Sequence, residues 1–131
     1  MALLTRDDIL NASDLAREEV EVPEWGGAVL VRGLTGRERD AYESSIVHPN
    51  GRVMKYTLTN MRARLVALSV IDEAGVRLFS DSDIEMLGRK SAAALQRVFE
   101  VAQRLSGLSE QDMDELAKNS ESGPSDDSGS G

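Results

Sequence analysis

Cysteine is absent from this 131-residue chain. That absence excludes thiol nucleophiles, thiolate-bound metals and disulfide staples, and it fits a reducing compartment. Histidine occurs once, at His48. A single histidine without cysteine leaves too few nitrogen and sulfur donors for a zinc site. Aromatic residues make up 4% of the chain, so the core has to be built from Leu, Val, Ile, Ala and Met. Long apolar runs are lacking too. The longest stretch of apolar character, residues 65–71, is far too short to cross a bilayer. Arg6, Asp7 and Asp8 interrupt the apolar start, so no secretory leader is expected.

What is present is ordinary for a globular domain: 40% hydrophobic and 29% charged residues. The length suits one domain, residues 1–118, large enough to fold without covalent staples. The net charge is −8. An acidic chain gains nothing from releasing phosphate counterions, so nucleic acid is not an expected partner, and nor is a membrane. The charge serves solubility, or steers the chain towards a basic partner.

Residues 1–17 carry one short amphipathic segment. Thr5 caps it, Asp7 and Asp8 sit in its first turn where the helix dipole favours them, and Ile9, Leu10 and Leu15 are its apolar positions. Glu19-Val20-Glu21-Val22 then alternates with period two, the mark of a half-buried strand. Pro23 points to the end of that strand or to a sheet edge. Gly26 and Gly27 are expected to reverse the chain, and residues 28–32 to form a second strand with Val29 and Val31 on one face. Trp25, at the corner, is the only tryptophan. It is expected to cover the end of the hairpin, with partner binding as the alternative.

Thr35-Gly36-Arg37-Glu38 is a capping box, which predicts a helix to about Val47 with Ala41, Tyr42 and Ile46 as its apolar positions. His48-Pro49-Asn50-Gly51 ends it with turn chemistry. A second helix is expected from Thr57 or Thr59 to Asp72. Leu58, Met61, Leu65 and Leu68 form its stripe, widened by Val66, Val70 and Ile71, so it should be central and largely buried. After a turn at Glu73-Ala74-Gly75 and an extended piece at residues 76–79, Ser80 caps a short helix stopped by Gly88. Phe79 and Ile84 form its hydrophobic staple. Residues 91–105 predict an amphipathic helix with Leu95, Val98, Phe99, Ala102 and Leu105 inward, ended by Gly107. Ser109 caps a last helix, on which Met113 and Leu116 are apolar. Residues 119–131, an acidic Ser/Gly-rich tail, cannot repay ordering entropy and are expected to be disordered. The sum is an α+β domain: a small antiparallel hairpin or slightly larger sheet packed against four to five α-helices.

No catalytic constellation emerges from these elements. Asp81, Asp83 and Glu85 have the spacing that opens a calcium loop. However, Met86 stands where that loop needs Gly, and Ala92 where it needs a bidentate Glu. Acids favoured at a helix N-terminus account for the same letters. His48 sits in a polar turn without a nucleophile motif nearby, which reads as a solvated loop histidine. Gly33-Leu34-Thr35-Gly36 spells the short clamp of single-strand RNA binders, but its acidic flank opposes that use and the Thr35 cap explains it. No cofactor motif is present.

Several segments resemble the tail assembly chaperones of long-tailed bacteriophages. They are Leu4-Thr5-Arg6-Asp7-Asp8-Ile9-Leu10, Val20-Glu21-Val22-Pro23-Glu24-Trp25-Gly26-Gly27, Val31 to Asp40, Leu65 to Asp72, Leu78 to Ile84, Leu105 to Ser109 and Glu115 to Asn119. The Trp-Gly-Gly and Leu-Thr-Gly-Arg segments are the specific ones. The resemblance implies a non-enzymatic protein of the infected host cell's cytoplasm, absent from the mature virion. Such a protein coats the tape-measure protein, keeps it soluble and helps recruit the tail-tube protein. It also implies that a longer form made by a ribosomal frameshift can accompany the shorter one. Met113 and Leu116 are the expected contact residues on the last helix, since adaptable Met suits a repeated, imperfect target; closing the core is their other use. The competing functions are a permanent neck or tail-completion component of the virion, and a small regulatory binding module.

Overall fold

The computed structural model describes residues 2–46 and 60–108. Their order is α1 (Arg6–Leu10), β1 (Arg17–Val22), a 3₁₀ turn (Pro23–Trp25), β2 (Gly27–Arg32), α2 (Gly36–Ile46), α3 (Met61–Ser69), β3 (Val70–Ile71), a second 3₁₀ turn (Asp81–Asp83), α4 (Ile84–Leu87) and α5 (Ala92–Leu105). The fold is α+β, as the patterning predicts.

Strand β1 starts at Arg17, two residues before the alternating pattern. It pairs antiparallel with β2, Val20 facing Val29 and Val22 facing Gly27. Val20 and Val22 are buried while Glu19 and Glu21 are exposed, so the period-two pattern translates directly into an inner and an outer face. The reversal is made by the turn at Pro23–Trp25 and by Gly26 alone, which takes a left-handed φ of 82°. Gly27 is already the first residue of β2.

The helix expected to reach Asp72 stops at Ser69. Val70 turns extended (φ −80°, ψ 127°), and Val70 and Ile71 form a third strand that pairs antiparallel with Val31 and Leu30. Both residues are β-branched, so the strand conformation costs them little. The hydrogen-bonding edge of β2 then decides against a further helical turn. The sheet order is β1-β2-β3. Beyond it, the Asp72 carboxylate accepts from the amides of Ala74 and Val76 and sets the turn. Arg77 makes an isolated bridge to Ile71.

Helix α5 lies against β1 and β2 on one side and α3 on the other, and α2 and α4 flank α3. The core between them contains Val22, Val31, Tyr42, Ile46, Leu65, Val66 and Val98, all fully or almost fully buried. Each such aliphatic side chain contributes about 1.5–3 kcal/mol by leaving water. Helix α2 presents Tyr42 and Ile46 inward, one turn apart, whereas Ala41 faces solvent. The Tyr42 hydroxyl donates to the carbonyl of Met61, and burial pushes its phenol pKa up. Ser80 and Asp83 form a reciprocal cap, with Phe79 and Ile84 on the core side. Gly107 ends α5 with φ 76°, and the amide of Leu108 donates back to the carbonyl of Gln103 at 2.9 Å.

Two ion pairs fix the edge strand and the hairpin corner to α5. Arg104 donates to both carboxylate oxygens of Glu18 at 2.8 and 2.9 Å, and Arg97 to both of Glu24 at 2.7 and 3.0 Å. Arg97 holds the Glu24 carboxyl down at about 2.

Candidate docking surface

Thr5 builds the N-terminal helix as expected. Its amide donates to the Asp8 carboxylate at 3.0 Å, and its hydroxyl accepts from the Asp8 amide at 3.2 Å. Chiefly the bond from the Thr5 amide holds the Asp8 carboxyl below the usual carboxylate range. The helix is one turn and a half long, and none of its residues is buried. Leu3 is 95% exposed, Leu4 70%, Ile9 57%, Leu10 64% and Leu15 40%. The apolar face that the sequence predicts therefore exists without any of the described residues covering it. Residues 3–15 form an arm.

The arm joins the body at a crowded point. The Ala16 carbonyl accepts from the amide of Gly33 at 3.0 Å, and the amide of Leu34 donates to Ser106 Oγ at 3.0 Å. A side chain at Gly33 would collide with the backbone carbonyl of Leu105, so only glycine lets β2 pass so close to the end of α5. Next to it, Arg32 is the centre of a polar junction. Its guanidinium donates to Glu38 through both terminal nitrogens, at 2.6 and 2.8 Å. It also donates to the carbonyls of Gly33 and Leu68. Glu38 in turn accepts from the Thr35 amide at 3.0 Å, and its own amide donates to Thr35 Oγ1 at 3.1 Å, completing the predicted capping box. Chiefly the Arg32 guanidinium brings the Glu38 carboxyl from its ordinary 4.5 down to about 2. One carboxylate thus caps α2 and ties it to β2, while the Arg32 guanidinium ties β2 to α3.

Between arm and body runs an open groove of about 660 Å³, bordered by Asp14 and Leu15 on one side and by Arg17, Arg32, Glu38 and Gly75 on the other. Its best-placed charges, Arg32 and Glu38, are already spent on each other. A second shallow depression of about 530 Å³ lies between α3 and the start of α5, beside Arg62 and Lys90. In the first, the Thr35 hydroxyl is engaged in the α2 cap and accepts from the Glu38 amide.

Of the residues singled out from the sequence, Trp25 is half-buried at the hairpin corner and packs against the core. Asp81 meets Arg77 at 3.3 Å and Asp83 serves the Ser80 cap. Among the described residues no three acidic or histidine side chains converge as a metal site. His48, Met113 and Leu116 lie outside the described residues. Sequence reasoning missed the openness of the arm, although Leu3-Leu4 ahead of the Thr5 cap and the polar break Asn11-Ala12-Ser13 were visible signs of a separate segment. Three further large apolar side chains are open elsewhere: Val76, Leu78 and Met86.

A family model described as phage tail assembly chaperone matches residues 5–119. The chain belongs to the phage tail assembly chaperone family. The fold is also shared with a solved structure, that of the bacteriophage HK97 tail assembly chaperone. The TM-score is 0.56 at 18% identity, over 76% of this chain and 94% of that one. No curated protein matches the chain in sequence. Family and fold together point to a non-catalytic role among tail components.

Proposed function

We propose that this protein binds the tape-measure protein of a phage tail, keeps its long apolar helices soluble and helps recruit tail-tube subunits. The observation that carries this reading is the pairing of eight large exposed apolar side chains among the described residues with a net charge of −8. A holdase needs uncovered apolar surface to engage a partner helix, and like charge to keep the complexes apart. The protein acts in the host cytoplasm during infection, leaves before the virion is complete, and can be accompanied by a longer frameshifted form. It transforms no substrate.

Co-expression tests the reading. The tape-measure protein encoded in the same phage genome should be soluble with this chain and sediment without it. Solubility independent of this chain refutes the proposal. Mass spectrometry of purified particles separates it from the neck-component reading, because stoichiometric presence in finished tails fits only the latter.

A further inference from the structure

Among the described residues eight large apolar side chains are exposed; five of them fall within the arm, and the described part of the body contributes no cover for them. Thr5 caps the helix, so Leu4 stands just before the cap and Ile9 at the fourth helical position. In a hydrophobic staple those two positions share one side of the helix. Here both stay open, so the staple faces solvent rather than core. Leu3 and Leu10 extend the same apolar tract, and Leu15 brings it to the rim of the groove.

Charge selects the occupant. Within residues 3–15 three carboxylates, Asp7, Asp8 and Asp14, stand against a single cation, Arg6, which is already paired with Asp7 at 3.0 Å. The nearest cations of the body are turned to the groove. Arg17 reaches over Gly75, and Arg32 is neutralised by Glu38. A second copy of this chain would bring the same carboxylates and its own net charge of −8. An apolar helix flanked by Lys or Arg would instead find apolar cover and opposite charge together.

We propose that the arm, through Leu3, Leu4, Ile9, Leu10 and Leu15, is the surface that grips the partner, and that it selects an apolar helical stripe edged by basic residues. This rests on the chaperone reading and assigns its contact surface. Because none of these side chains is buried, the arm is separable from folding. Substitutions there change binding alone.

The test uses the full chain and two synthetic helical peptides that share one leucine stripe, flanked in one by lysines and in the other by glutamates. Affinity is read by fluorescence anisotropy. The lysine-flanked peptide should bind, and the glutamate-flanked one at least about tenfold more weakly, with the difference shrinking as salt is raised. The double substitution Ile9→Asp with Leu10→Asp should weaken the lysine peptide by at least about tenfold, since two apolar anchors are lost. Leu3→Asp with Leu4→Asp should do the same, and both variants should keep the wild-type urea midpoint. Val76→Asp with Leu78→Asp, at the other open patch, should stay within about twofold of wild type. Unchanged binding by both arm variants overturns the assignment, and so does loss confined to the Val76/Leu78 variant. A wild-type dimer in light scattering that the arm substitutions dissolve also overturns it, by making the arm a self-association device. The two proposals fail separately in co-expression. Tape-measure protein that is insoluble even with wild-type chain defeats the chaperone reading. Tape-measure protein kept soluble equally well by wild type and Ile9→Asp/Leu10→Asp defeats only the arm.

Discussion

Replacing Glu38 by Gln tests the junction that joins β2, α2 and α3. The glutamine keeps the shape and can still accept from the Thr35 amide, so the cap survives in part. What it loses is the charge facing Arg32, whose side chain is 11% exposed, while that of Glu38 is 27% exposed. Hydrogen bonds to charged groups contribute about 1.5–3 kcal/mol each. The two bonds here belong to one ion pair, and solvent reaches the carboxylate. Arg32 also retains the carbonyls of Gly33 and Leu68. The net cost is therefore near the lower end for a single pair, about 2 kcal/mol. In urea this lowers the midpoint by about 1–2 M with an unchanged slope. The pH dependence supplies the sharper check. The folded carboxyl titrates near 2 against 4.5 when free. Its stabilisation is present above the free value and fades as pH falls from about 4.5 towards about 2, because protonation then occurs more readily in the unfolded chain. Wild type and Glu38→Gln should differ fully near pH 7 and converge across that acidic window. Equal midpoints at neutral pH, or a difference that persists undiminished at the acidic end, would refute the account of this junction.

Three further substitutions probe the packing around it. Gly33→Ala drives a methyl group into the Leu105 carbonyl and should cost about 2–3 kcal/mol, read as a lowered thermal midpoint; tolerance would mean that β2 and α5 are not in contact there. Leu65→Ala, at a side chain with no exposure, should cost about 3 kcal/mol in chemical denaturation, whereas a surface-like value below about 1 kcal/mol would place α3 outside the core. Tyr42→Phe removes only the hydroxyl that donates to Met61 and should cost about 1 kcal/mol with the fold's circular dichroism unchanged.

The elements that sequence reasoning found are those whose cause is local. Thr35 and Glu38 announce α2 because the reciprocal bonds span three residues. Val20 and Val22 announce β1 because strand alternation is written residue by residue. What it missed has a cause elsewhere in the chain. Val70 and Ile71 continue the apolar stripe of α3 and read as helix, yet their conformation is settled by pairing with Val31 and Leu30 in a strand formed far earlier. Glu38 already had a sufficient role as a cap, which concealed its second one as the counter-ion of Arg32. For the candidate surface, the pattern Ile9, Leu10 and Leu15 tells that one side of the segment is apolar. No periodicity tells whether the rest of the domain will come to meet it, and here the described part of it does not.

The uncovered arm has an evolutionary corollary. A binding face embedded in a core is conservative, since every adjustment to the ligand disturbs the scaffold. Residues 3–15 carry no such burden, because no buried side chain belongs to them. Their exposed apolar side chains can change without loss of the fold, while Gly33, Arg32 and Glu38 keep the chassis intact.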